Sequence, residues 1–292
     1  MKRGGRIAIA ALAVLLLLSA ALNIYCLFCR DVSYLQSPAQ LTIMEAGVLR
    51  AFSDFSQGQR VEMQYDLDAP EYAALRERYG LDAVAGEGTD LQRALRLMHE
   101  FAPRLAHRSD YDNHIPQNAA DLLSYSLDDR SRGINCRAKA QILNEMCLAE
   151  GIFSRKLWLM PLSPYDDDCH VVNEIWDESL SKWVMLGITN DQYWVDGNGT
   201  PLSALEIRAL CAECAFCTPL CPGQEEQDAQ KLRKRHTGEY LYIMKNLVYL
   251  EYLGEYGVGE SQDFWLLFPE NLRTDYPQLL SQASCEQPPS ER

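Results

Sequence analysis

Cys136 and His170 are the pair of residues whose types and setting suit covalent chemistry. Cys136 opens a stretch with helical periodicity. A thiol at a helix start feels the positive end of the helix dipole, which favours the nucleophilic thiolate. His170 stands in the run CHVVNEIW, behind Asp166, Asp167 and Asp168. A cysteine on a helix start and a histidine on a neighbouring strand form a nucleophile and its base. The two types alone are common, so the elements that position them carry the argument.

Residues 133–151 give the clearest helix. Ala138, Ile142, Leu143, Met146, Cys147 and Ala149 make one apolar stripe, and Gly151 sits where a C-terminal cap belongs. Three strand-like runs follow, at 155–160, 169–176 and 182–189, the last two joined as a hairpin through DESLSK. Upstream, APEYAALRERYGL, the spaced Leu91, Leu95, Leu97, Met98 and Phe101, and residues 118–127 read as helices. Asp196–Gly199 is a turn signal, and the chain beyond 205 reads as helical, including 238–253.

Gly133, Cys136, Gly151, Ile152, His170, Glu174 and Trp183 fall in the order of a known pattern: Gly-x-x-Cys at a helix start, a Gly-Ile turn, a His strand and a Trp strand. In these features the chain resembles the transglutaminase-like family of the papain-like cysteine enzymes. The match is dense over 133–204 and more diffuse from about 90. The resemblance implies an α+β fold, a Cys-bearing helix packed on a mostly antiparallel sheet that bears the His. It also implies a triad in which Cys136 attacks a carbonyl, His170 carries the proton and a carboxylate orients the ring.

The chain departs from the pattern at that carboxylate. The family strand runs Trp-x-x-x-Asp-Pro-Thr, whereas this chain has Gly187 at the Asp position. With Trp176 opposite Trp183, His170 faces Thr189, and position 187 is its diagonal neighbour on the same face. Asp191 would return to that face if the strand continued; Asn190 or Thr189 could orient the ring instead. Two functions follow. One is a thiol enzyme acting on protein or peptide amides at the cell envelope, by hydrolysis or acyl transfer. The other is a non-catalytic domain of the same fold that binds a peptide or protein partner. Cys147, Cys169, Trp183 and Trp194 read as packing.

Cys211, Cys214, Cys217 and Cys221, followed by Pro222, have the spacing of bacterial ferredoxins. Such ferredoxins use two runs, and this chain has one. Disulfides, a zinc site, an iron–sulfur cluster and free thiols all stay open from the sequence. No nucleotide, flavin or haem motif is present, and no cofactor is expected.

The chain opens with basic MKRGGR, and residues 7–29 are almost wholly apolar. Twenty-three helical residues span about 34 Å, enough to cross a hydrocarbon core of about 30 Å. The expectation is a single-pass membrane anchor with the C-terminal body outside the cytoplasm; a cleaved signal peptide is the alternative. The 292 residues carry 27 basic and 41 acidic side chains, and 47% are apolar. That mix excludes a chain disordered throughout, a collagen-like chain and a disulfide miniprotein. A net charge of -14 argues against nucleic acid as a partner. The expected layout is an anchor at 1–29, a linker at 30–60, the transglutaminase-like domain with its Cys-rich extension at 61–280, and a loose tail at 281–292. The sequence gives no oligomeric state.

Overall fold

In the computed structural model the described residues are 3–26, 37–55, 59–60, 62–129, 131–163, 165–166, 168–225, 227–267, 269–275 and 283–284. The chain divides into two compact units, 1–41 and 42–292, with the boundary inside helix α2 (Pro38–Ala51). The first unit holds helix α1 (Arg3–Ile24), whose side chains from Leu12 to Ile24 are exposed wherever they are large and apolar. Residues 27–29 of the expected membrane span lie outside the described residues. Among the described residues no helix is long and apolar enough to cross a membrane, so the fold does not support the expected anchor.

The second unit is a mixed α+β fold. Two short strands, β1 (Gln59–Arg60) and β2 (Gln64–Tyr65), precede a helical layer. That layer comprises α3 (Pro70–Tyr79), α4 (Leu81–Ala85), α5 (Asp90–Phe101), α6 (Ala119–Asp128) and α7 (Cys136–Ala149). The sheet strands follow: β3 (Ser154–Met160), β4 (His170–Asp177), β5 (Lys182–Gly187) and β6 (Gln192–Asp196). Beyond them come α8 (Ala204–Ala212), β7 (Cys217–Leu220), α9 (Ala229–Arg235), α10 (Thr237–Asn246) and β8 (Tyr249–Leu253). The last elements are β9 (Glu255–Tyr256), β10 (Phe264–Leu267), α11 (Glu270–Asp275) and β11 (Ala283–Ser284). One antiparallel sheet has the order β10-β8-β3-β4-β5-β6-β7.

Helix α7 is the centre of the fold. Asn135 caps it by accepting from the Ala138 N–H at 3.0 Å, and Gly151, at φ +70°, lets the chain leave its far end. Every side chain from Ala138 to Ala149 is buried, polar ones included. Asn173 of β4 donates to the Ala140 carbonyl at 2.9 Å and pins α7 to one face of the sheet. Glu174 points to the other face by strand alternation. There it accepts from Arg155 at 2.9 Å and from the Ala204 N–H at 2.7 Å, clamping the start of α8. The Arg155 guanidinium lies over the Trp183 ring. Glu174 of the sequence pattern is thus a structural clamp.

The hairpin has the expected register, Trp176 opposite Trp183. The expected helix over 238–253 is instead α10 followed by β8, which pairs with β3 and β10. LVYLEYL is apolar and aromatic apart from Glu251, and its period does not separate a buried strand from a buried helix. The space beside β3 decides it.

Candidate active site

The β4–β5 ladder ends at Asn173–Leu186, so β4 runs three residues beyond its partner. The start of α7 meets that projecting end. The backbone N–H groups of Val171, Cys136 and Arg137 favour the ionised form of the Cys136 thiol. These last two have no carbonyl partner within the first turn of the helix. Burial pushes the Cys136 thiol above its ordinary range, and the three N–H donors pull it back. The sulfur sits half-buried on a cavity of about 500 Å³.

His170 lines the same cavity. Its ring is buried and meets Tyr242 of α10 edge-on, with centroids 5.4 Å apart. Burial drives it down to about 4; His107 adds to that shift and Asp168 opposes it. The ring is therefore neutral at neutral pH, the form able to accept a proton. Among the described residues no hydrogen bond joins it to Cys136 in this state, as is common before substrate binds.

Thr189 and Asn190 also line the cavity. The Thr189 hydroxyl is buried with no hydrogen-bond partner among the described residues. The Glu239 carboxyl accepts from Gln192 at 2.8 Å, and Asn190 favours its ionised form. Burial pushes Glu239 upward. A Cβ on Gly187 would lie 3.3 Å from Gln192 Cγ, so Gln192 takes the space beside the position of the family's acid.

Asp191 is not part of this group. The strand does not continue past Gly187: the chain turns through 188–191, with Asp191 at φ +52°. Alternation stops at the turn, and Asp191 Oδ1 pairs with His99 Nδ1 of α5 at 2.5 Å. It does not line the cavity. Cys169, expected on the opposite face from His170, lies before the strand begins and lines the cavity as well. Burial raises its thiol to about 11.

Two further residues carry no sequence signal. His107, in the segment bridged to Ile134, lines the cavity opposite β4; burial lowers it, and Lys139 lowers it further. Lys139, one turn along α7 from Cys136, is buried. A histidine in a loop is ordinary until the fold places it here; Lys139 itself does not line the cavity. Asp166 and Asp168 pair with Lys245, and Asp167 lies outside the described residues.

The cysteine run is split between elements. Cys211 of α8 and Cys217 of β7 are buried with sulfurs 3.9 Å apart, Cys214 is exposed, and Cys221 Sγ lies 4.0 Å from the Asn190 carbonyl. All four are free thiols. Among the described residues no three His, Cys, Asp or Glu side chains are grouped to hold a metal. The turn between α8 and β7 separates ligands that the linear spacing brings together.

No family model matches the chain, and no curated protein matches it. One solved structure does: a protein of Parabacteroides distasonis ATCC 8503 described as "a putative protease". It is 13% identical with a TM-score of 0.28, and the match covers 54% of this chain and 30% of that one. The chain thus spans less than a third of that protein. A likeness this slight carries no argument about activity.

Proposed function

We propose that the chain is a transglutaminase-like thiol enzyme that acts on protein or peptide amides. Cys136 is the nucleophile and His170 the proton carrier. The observation that carries the reading is the cavity itself, which a helix-start thiol and a neutral buried imidazole both line. Cys136 Sγ bonds to the amide carbon as its proton passes to His170. The C–N bond then breaks, and His170 returns the proton to the leaving amine, which leaves a thioester. Water or a second amine releases the acyl group. The Cys136 and Arg137 N–H groups at the start of α7, which have no carbonyl partner within the helix, would bind the carbonyl oxygen as it gains charge. In place of the missing acid at 187, the Thr189 hydroxyl, buried without a hydrogen-bond partner among the described residues, and the Asn190 amide are the candidates to orient the ring, since both line the cavity with it.

The test is intact-mass detection of an acyl adduct after incubation with mixed glutamine-containing peptides. Wild type gains an acyl mass, Cys136→Ala gains none, and His170→Ala gains it at least about a hundred-fold more slowly. No adduct with any peptide, under reducing conditions, contradicts the reading.

A second reading, a peptide-binding domain without turnover, is favoured by Gly187 and by the engagement of Asp191 with His99. Peptide retention by Cys136→Ala and wild type alike, with no acyl mass in wild type, would favour it. The basic start and apolar run at 7–29 support placing either activity at the cell envelope, with the body outside the cytoplasm.

A further inference from the structure

Two thiols of the cysteine run meet inside the fold. Cys211 stands on the last turn of α8, and Cys217 opens β7. Both are fully buried, and their sulfurs are 3.9 Å apart. The other two members of the run are placed differently. Cys214 is exposed, and Cys221 Sγ lies 4.0 Å from the Asn190 carbonyl, past the far end of β7.

The backbone builds this meeting. The Ala215 N–H donates to the Leu210 carbonyl at 2.8 Å, and the Cys214 N–H to the Cys211 carbonyl at 3.1 Å. The chain therefore reverses tightly at the end of α8, with Cys214 at φ +52°. Each partner has its own anchor. Strand β7 pairs with β6, Cys217 opposite Asp196. Helix α8 is clamped at its start by Glu174 and further along by Arg208, which donates to the Leu247 carbonyl at 2.8 Å. A disulfide bond is about 2.05 Å long, so each sulfur needs to move about 1 Å, which rotation about the two Cα–Cβ bonds supplies. The contact with Cys217 lowers the Cys211 thiol; burial opposes this, and Arg233 and Arg208 assist it. The same contact and burial raise Cys217. Cys211 is thus the thiol that ionises first, and the thiolate is the attacking form in exchange.

We propose that Cys211 and Cys217 form a disulfide site, closed by exchange with a small disulfide such as oxidised glutathione. This goes beyond the thiol-enzyme reading and does not depend on it. The Cys211 thiolate attacks one sulfur of the small disulfide, which makes a mixed disulfide and releases one thiol. Cys217 then gives up its proton and attacks the Cys211 sulfur, which closes the protein bond and releases the second thiol. The pair loses two electrons and two protons, and the small disulfide gains them. Both sulfurs are buried, so the exchange takes place while the turn is open, and the finished bond is shielded from reductant. It ties the end of α8 to β7, the edge strand of the sheet. A body outside the cytoplasm, as proposed above, is where such an oxidant is met.

The experiment is differential labelling of the full-length, reduced protein after incubation with oxidised glutathione. The protein is unfolded in excess iodoacetamide, reduced, and labelled again with N-ethylmaleimide; tandem mass spectrometry places each label. The unreduced digest separates an internal bond, lighter by two hydrogen atoms, from an added glutathione. The expected result is the second label on Cys211 and Cys217 together, in a peptide lighter by two hydrogen atoms. Cys211→Ser should leave Cys217 with the first label. Free thiols at both positions, or a bond from either to Cys214 or Cys221, overturn the proposal. The same incubation in urea should scatter the bonds over the run. An identical choice of partners in urea would credit the spacing of the chain instead of the fold, and overturns the assignment as well. Cys136 takes no part in the readout, so the enzyme reading stands or falls separately.

Discussion

At the scale of the residue, the site depends on a histidine kept dry. His170 is pushed from 6.5 to about 4 by burial. Between those values the unfolded chain binds a proton that the folded chain refuses. Folding stability therefore falls as the pH drops from about 6.5 towards 4. The loss from this one group reaches about 3 kcal/mol. Urea unfolding at pH 7 and pH 4.5 should show a smaller acid loss in His170→Gln than in wild type; parallel losses would place the proton elsewhere. Cys136 and His170 were legible as candidates because helix-start and strand patterns flank them. His107 was not, since it has no periodic neighbour that marks it. Asp191 misled because alternation was extended past the residue where the strand turns.

At the scale of the element, a buried ion pair and a crowded glycine each hold part of the sheet. Glu174 joins β3, β4 and the start of α8 through Arg155 and the Ala204 N–H. Glu174→Ala removes the carboxylate from beside the buried Arg155 guanidinium and should cost about 3–5 kcal/mol. A thermal melt within a degree or two of wild type would contradict that role. Gly187→Asp brings a Cβ to 3.3 Å from Gln192 Cγ and disturbs the Gln192–Glu239 bond. The single substitution should destabilise by about 1–3 kcal/mol. Pairing it with Gln192→Ala should recover part of the loss, which the same melts can check. Helix α7 and the β4–β5 hairpin were readable because their signals are local: an apolar stripe ended by Gly151 marks the helix, and DESLSK fixes the turn. Strand β8 was not, because its apolar run suits either element and the open edge of β3 selects the strand. The cysteine run was misleading for a related reason. Its spacing is a property of the line, while α8 and β7 send the four thiols to different places.

At the scale of the whole molecule, an acidic chain carries a polar cavity built from separate stretches, among them the segment around His107, the starts of α7 and β4, the turn at Thr189 and Asn190, and α10. The apolar stretch at 7–29 bears on where this happens. Full-length protein should pellet with membranes and resist carbonate extraction, whereas the chain without residues 1–29 should stay in the supernatant. Full extraction of the intact chain would argue against an envelope anchor. The account rests most on Cys136 being a nucleophile, and that is measured directly by site-resolved alkylation at pH 7 under mild reduction. Cys136 should react faster than exposed Cys214 although it is more buried, while Cys147, Cys211 and Cys217 stay silent until the protein unfolds. A Cys136 that reacts no faster than those buried thiols would contradict the account and leave a domain that binds without turnover.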